Sequence, residues 1–281
     1  MRRGGVLRRV FAAALVDYGS WMRSPRTLLA PVFIAAIGYL QMSGYENLLR
    51  ASGLSMHYVE TLYYEFSFGC NMPMTTALFL MMLSELPGRM RIHPFVWIRL
   101  SRGQWLAAQI LYSMMMVLTM LLMLLLSITV FSLPLVTAGC GWSDMQRMAA
   151  GYGGGALIEL SVMEQFSPFQ ALMLAIAPMF FFWLTMALVI LLFGLWGRAV
   201  LGMLLYAFFM VAHVTIYFEC FPFPVRLPMH YATLINIVQT PGRELEELGR
   251  VLGGYAVILF LLIAVMAVRV KRAELDEHME A

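Results

Sequence analysis

The sequence predicts an all-α, polytopic membrane helical bundle with about six transmembrane helices, and three observations lead there. The 281 residues are 61% hydrophobic and only 12% charged, against roughly 45–50% apolar and about 25% charged in a soluble domain. Mostly apolar stretches of about 20 residues, the length that crosses a hydrocarbon core about 30 Å thick, recur along the chain. The 19 lysines and arginines also divide unevenly between alternate loops. Such a chain cannot cover itself with polar surface in water, so one transmembrane domain over residues 1–281 accounts for its length.

The first 26 residues hold six arginines and no short apolar core followed by a small-residue cleavage site, so the N-terminus is expected to be retained. Within them Leu7, Val10, Phe11, Ala14, Leu15, Tyr18 and Met22 recur at helical spacing, with Arg8, Arg9, Asp17 and Ser20 on other faces. This describes a cytoplasmic interfacial helix over 1–26, apolar side chains in the acyl boundary and arginines among headgroups. Ser24-Pro25 reads as an N-cap followed by proline at the first helical position, which ends that helix and starts the first span.

The expected spans are 27–44, 66–84, 105–133, 169–195, 199–219 and 251–270. The third is long enough to tilt or project, and Pro134 marks its end. Six spans put both termini on one side. With that side inside, the inner segments hold Arg2, Arg3, Arg8, Arg9, Arg23, Arg26, Arg89, Arg91, Arg99, Arg102, Arg198, Arg269, Lys271 and Arg272. The outer segments hold Arg50, Arg147, Arg226, Arg243 and Arg250. That split of 14 against 5 decides for cytoplasmic ends.

Between spans two and three, residues 85–104 form the most charged cytoplasmic loop, with Arg89, Arg91, Arg99 and Arg102 beside Phe95, Trp97 and Ile98. One reading is a membrane-hugging loop that obeys the positive-inside rule; the other is a short helix that docks another protein. The outer loop 138–167 contains Gly151-Tyr152-Gly153-Gly154-Gly155, which lacks the Lys-Ser/Thr of a phosphate-binding loop and reads as flexible chain. The outer loop 220–250 carries Pro222, Pro224 and Pro228, then an apolar stretch from Met229 to Val238. That stretch is too short to span and long enough for a re-entrant or interfacial helix. Thr240-Pro241 reads as the cap of a helix that runs through Glu244, Glu246 and Glu247 into the sixth span.

Chemistry is sparse. Cys70, Cys140 and Cys220 have no metal-ligand spacing; they read as free thiols, or as a disulfide between two of them on an oxidising outer side. His213 falls within the fifth span and reads as a neutral imidazole bonded to another helix, with Glu219 at that span's outer end. The six spans are almost free of the carboxylates a proton-coupled carrier needs, and no nucleophile-base pair or HExxH appears. The 25 methionines read as packing rather than copper ligation, since Met114-Met115-Met116 points around a helix. No catalytic, cofactor-binding or metal residues are assigned. A net charge of +3, spread by topology, implies no nucleic-acid partner.

A P-loop needs GxxxxGK[ST], and the one lysine lies in Val270-Lys271-Arg272, so any ATP-driven step belongs to another polypeptide. The order of features then matches a family. Ser24-Pro25-Arg26-Thr27 ends an interfacial helix, six spans follow, a basic loop holds Glu85 and Leu100-Ser101-Arg102, and a re-entrant-like segment precedes the last span. Over essentially its whole length the chain resembles the membrane permease subunit of ABC-2-type transporters, although Glu85-Leu86-Pro87-Gly88 departs from the acidic pair and Thr-Leu step of family loops.

The resemblance implies two permease subunits, identical or different, around a central pathway in a bacterial cytoplasmic (inner) membrane. Each would rest on a nucleotide-binding ATPase subunit that holds the ATP and Mg, and the system would export an amphiphilic substrate. Residues 85–104 become the coupling loop, with Glu85, Phe95, Trp97, Arg99 and Arg102 as its contacts to the ATPase subunit. Phe95 and Trp97 would anchor in a partner cleft and the arginines would meet acids at its rim. The competing reading is a non-transporting membrane scaffold or assembly factor whose loop docks some other cytoplasmic protein.

Overall fold

A computed structural model describes residues 3–53, 55–67, 71–84, 100–139, 141–151, 160–217, 228–237 and 243–280. Nearly all of them are helical, and local chemistry sets the helix ends. Helix α1 (Arg3–Met22) stops at a turn, and α2 (Pro25–Ser52) begins where the Ser24 hydroxyl accepts the Thr27 amide at 3.2 Å, with Pro25 at the first helical position. Gly53, at φ 65°, follows α2 in the left-handed conformation that a helix C-terminus favours. Strand β1 (Met56–His57) and helices α3 (Tyr58–Ser67) and α4 (Asn71–Leu83) come next.

Helix α5 (Arg102–Ser132) opens on a reciprocal capping box: Ser101 accepts the Gln104 amide and Gln104 accepts the Ser101 amide. Its last helical residue stands two before Pro134, as expected. Strand β2 (Val136–Thr137) pairs in parallel with β1, Met56 opposite Val136. Two short helices follow, α6 (Asp144–Gly151) and α7 (Leu160–Gln165). Helix α8 (Pro168–Leu195) repeats the capping box with Ser167 and Gln170, and has Pro168 in its first turn.

Helix α9 (Ala199–Tyr217) turns back from α8 through a Schellman motif. Gly197 sits at φ 69°, Arg198 N–H donates to the Phe193 carbonyl at 2.9 Å and Gly197 N–H to the Gly194 carbonyl at 2.9 Å. A 3-10 turn (Pro228–Ala232), α10 (Leu234–Ile237) and α11 (Glu244–Glu280) complete the chain, with Glu244, Glu246 and Glu247 in the first turn of α11. Acidic residues there suit the positive end of the helix. Thr240 and Pro241 lie outside the described residues.

Among the described residues three helices are long and apolar enough to cross a membrane: α5, α8 and residues 244–271 of α11. A fourth span exists if α3 and α4, which meet at 75°, count as one. The apolar parts of α2 and α9, Pro25–Leu40 and Ala199–Thr215, are shorter. The apolar lengths of the long helices are those of an integral membrane protein. Within the expected stretch 66–84 the described residues are the end of α3 and all of α4. At 37 residues α11 is about 55 Å long, well beyond a hydrocarbon core of about 30 Å.

Helix α8 is the centre. It carries no charged residue, residues 182–188 are all buried, and α3, α4, α5, α9, the 3-10 turn and α11 pack around it. Phe79 of α4 stacks on Trp183 at 5.1 Å, and the Trp183 indole donates to Thr76 at 3.2 Å. Helix α11 touches the bundle by one stripe, Tyr255, Leu259, Met266 and Val270, and leaves Val257, Phe260 and Val268 exposed. Helix α1 divides the apolar set expected to face lipid. Ala14 is buried, while Leu7, Phe11 and Leu15 are exposed. Apolar residues lie on more than one side of this helix, so one side serves the protein and another stays open.

Two glycines let helices approach closely. At Gly38 an added methyl would collide with the Ser127 hydroxyl of α5, and at Gly202 it would lie 3.1 Å from the Ile190 Cα of α8. Gly202→Val is expected to cost about 1–3 kcal/mol by overpacking against backbone. The readout is a lowered midpoint of thermal unfolding in mild detergent. Gly254→Val, where nothing lies within 4 Å, changes stability by less than about 0.5 kcal/mol in the same assay.

Candidate functional site

The polar side chains gather at the two ends of α5. At its beginning, α1 lies across the bundle and is held by hydrogen bonds to two different helices. Trp21, fully buried, donates its indole N–H to the Met82 carbonyl at 3.3 Å, and the Arg26 guanidinium donates to the Ser84 hydroxyl. Met82 belongs to the last turn of α4 and Ser84 follows it directly; Arg26 is in the first turn of α2. Gln109 donates its amide to the Asp17 carboxylate at 2.7 Å. Tyr18 and Thr119 hydroxyls are 2.7 Å apart, and since Thr119 donates to the Met115 carbonyl, Tyr18 is the donor between them.

The consequence lies in chain order. Residues 85–101 leave from the end of α4 and return at the start of α5, and both flanks of that segment are bonded to the N-terminal helices: Met82 to Trp21 of α1 and Ser84 to Arg26 of α2 before it, Gln109 to Asp17 of α1 after it. Of the residues expected to form the coupling contacts, Glu85, Phe95, Trp97 and Arg99 lie outside the described residues. Arg102 is described. It is the first residue of α5, half-buried, immediately after the capping Ser101.

At the other end of α5, helix α3 is buried from Glu60 to Ser67. Glu60 is 0% exposed, and its carboxylate accepts the His57 amide at 3.0 Å and the Ser143 amide. The His57 ring Nδ1 lies 2.5 Å from the Gly141 carbonyl, which places the proton on Nδ1. Tyr58 donates to Thr129 at 2.6 Å, because the Thr129 hydroxyl is committed to the Leu125 carbonyl. Trp142 donates its indole N–H to the Phe166 carbonyl at 2.8 Å and meets Tyr63 edge-on at 5.8 Å. Helix α3, the end of α5, β1, β2 and the start of α6 therefore form one knot.

Glu60 and Glu65, both buried, were not visible as candidates because the expected second span began at 66. The available signal was the composition of Tyr58–Ser67, where two glutamates bracket Leu62-Tyr63-Tyr64 in apolar and aromatic sequence. His213 is buried on α9, as its place in the fifth span implied. The structure adds a partner element: the 3-10 turn packs on α9 and brings His230 within electrostatic range of His213. The Tyr255 hydroxyl of α11 donates to the Pro228 carbonyl of that turn at 3.2 Å. Glu219, Cys70, Cys140 and Cys220 lie outside the described residues.

The apolar stretch from Met229 is divided between the 3-10 turn and α10. Met229, Ala232, Leu234 and Ile237 are buried against α3, α8, α9 and α11. Beside it, the starts of α8 and α11 enclose an open groove of about 280 Å³ lined by Phe166, Phe169, Gln170, Met173, Leu174 and Leu245. Gln170 accepts the Ser167 amide at 3.0 Å, so its carbonyl serves the helix cap. Among the described residues no group of three His, Cys, Asp or Glu side chains is placed to hold a metal ion.

Comparison with known proteins finds no matching family model, no matching curated protein and no matching solved structure.

The α1 contacts have a measurable weight. Asp17→Ala leaves the buried Gln109 amide without its carboxylate acceptor and is expected to cost about 1–3 kcal/mol. It should also speed tryptic cleavage at Arg23 and Arg26 as α1 loosens. Asp17→Asn, which keeps a carbonyl acceptor, recovers most of both losses in thermal unfolding and limited proteolysis.

Proposed function

We propose that this chain is the membrane-spanning permease subunit of an ABC-2-type transporter, an exporter of an amphiphilic substrate powered by a separate ATPase subunit. One observation carries the reading: α1 hydrogen-bonds to both flanks of residues 85–101, Trp21 to Met82 and Asp17 to Gln109. A force applied to that segment reaches α4, α5 and α1 together, since all three are joined around its two ends. A permease driven from outside its own chain needs a mechanical input of this kind.

The mechanism follows from it. ATP binding closes the nucleotide-binding pair, which pushes on the coupling loop 85–104, where Phe95 and Trp97 insert into a cleft and Arg99 and Arg102 meet acids at its rim. Glu85 sits at the α4 side of that loop. Movement passes through α5 and α4 to the bundle. The bent pair α3 and α4 counts as one span in this reading, α2 and α9 as two more, and six spans put both termini in the cytoplasm. The 3-10 turn and α10 form the re-entrant segment before the last span and line the outer gate between two permease subunits. The exposed Leu7, Phe11 and Leu15 of α1 rest in the lipid interface with Arg8 and Arg9 beside them. A bundle whose centre, α8, is wholly uncharged favours a substrate with a large apolar part.

The test is purification of the tagged chain from membranes in mild detergent. A P-loop ATPase at one-to-one stoichiometry is the expected companion. Recovery of the chain alone, under conditions that preserve such complexes, would favour the membrane scaffold instead. In the reconstituted complex, Trp97→Ala with Arg102→Ala is expected to leave ATP hydrolysis running while transport falls at least about tenfold, the loss of roughly 1.4 kcal/mol of coupling. Unchanged coupling would remove residues 95–102 as the docking site. Tags at the two termini should be accessible only from the cytoplasmic side.

A further inference from the structure

The open side of α1 carries positive charge that the described chain does not answer. Ala14 and Trp21 turn to the bundle, fully buried, while Leu7, Phe11 and Leu15, four residues apart, form an exposed ridge. At about 100° per residue, Arg8, Arg23 and Val16 follow that ridge around the open side and Arg9 lies at its far edge. All three arginines are exposed, and among the described residues none of their side chains forms an ion pair or a hydrogen bond. The carboxylates that could neutralise them are spent or distant. Asp17 accepts from Gln109, and Glu46 stands about 30 Å along α2. Helix α4 has no charged residue and α5 only Arg102.

We propose that this side of α1 is a binding surface for anionic phospholipid headgroups, and that such lipids are the ligand that keeps α1 seated. Two observations select a bilayer over an acidic protein. Past the turn at Ser24, α2 exposes Leu28, Leu29, Val32 and Phe33, so Arg23 stands at the end of an apolar wall and Arg8 and Arg9 lie along the helix that leaves it. Basic and large apolar side chains also share the open side of α1, with Leu7 73% and Val16 62% exposed, which suits the boundary between acyl chains and phosphates. Zwitterionic headgroups answer the arginines poorly, because each phosphate brings its own cation. Headgroups with net negative charge answer them fully.

The consequence is regulatory. Helix α1 carries the hydrogen bonds that join the flanks of residues 85–101, Trp21 to Met82 and Asp17 to Gln109. An anionic leaflet therefore tightens that joint without touching the segment between the flanks. This rests on the interfacial placement of α1 given above, and adds that the charge of the lipid, beyond apolar contact, holds the helix.

Amide hydrogen exchange of the full chain tests this in nanodiscs of phosphatidylcholine alone and of phosphatidylcholine mixed with phosphatidylglycerol, with a peptide inside α8 as reference. Each basic residue at an anionic surface is worth about a fivefold preference, so exchange in a peptide within residues 5–16 is expected to slow at least about tenfold in the mixed discs. The α8 peptide should exchange alike in both. Arg8→Gln combined with Arg9→Gln and Arg23→Gln should erase the difference. Arg198→Gln, which removes an exposed arginine from the turn between α8 and α9, should keep it. The anionic ligand is overturned by equal exchange in the two discs, by an α8 peptide that slows as much, by a difference that survives the triple substitution, or by one that Arg198→Gln abolishes. Fast exchange of residues 5–16 in both discs removes the interfacial placement of α1 as well, whereas slow exchange in both removes the anionic ligand alone. The comparison of the two discs decides the matter even if the triple variant fails to fold.

Discussion

A polar group that enters the interior of this bundle is costly unless it finds a partner within the chain, and the architecture depends on that constraint. It explains why the described structure is nearly all helix: in a helix the backbone satisfies itself. It also explains where the interior hydroxyls go. Ser113, Thr119, Thr129, Thr185 and Thr215 each donate to the carbonyl four residues earlier, at 2.7 to 2.9 Å. A hydroxyl spent in this way costs the interior little and still offers its lone pairs. Tyr18 and Tyr58 use those lone pairs to fasten α1 to the middle of α5 and α3 to its far end. The long helix α5 therefore works as a rail with polar attachments spaced along it and apolar packing between them.

The attachments give the two ends of the rail different character. At the beginning of α5 a bond reaches α1, which is bonded in turn to the end of α4 on the other side of the most charged loop of the sequence. At the far end they gather short strands, short helices and a buried carboxylate into a knot. Between them stands α8, whose uncharged, fully surrounded middle resists deformation because a close-packed core has few intermediate arrangements. A bundle built so is suited to transmitting displacement from one end to the other, and this is the physical content of the permease reading.

Much of the architecture was legible in the chain itself. Composition implied a bundle in an apolar setting; Ser24-Pro25, Pro134 and the glutamates at 244–247 marked helix ends through chemistry that acts over three or four residues. The bend between α3 and α4 was not legible. Residues 66–84 carry no charge and are mostly apolar, and such sequence states only that a segment is buried, not its direction. Glu60 escaped for the related reason that a carboxylate six residues before a window of apolar residues looks like a solvated loop. Its burial is affordable only because Ser143 is brought to it from another part of the chain.

The sequence by itself determined the helical class, the approximate places of the long helices, the caps that end them and the uneven distribution of arginine. These depend on neighbours within a few residues or on sums over the whole chain. Only the tertiary structure decided which side of α1 meets protein and which stays open, that α8 rather than the longer α5 forms the centre, that His230 approaches His213, and that one helix grips both flanks of residues 85–101. Those facts are relations between segments far apart in sequence. Hydrophobicity brings such segments together without direction, so their register is set by the fit of glycines, hydroxyls and rings once they meet.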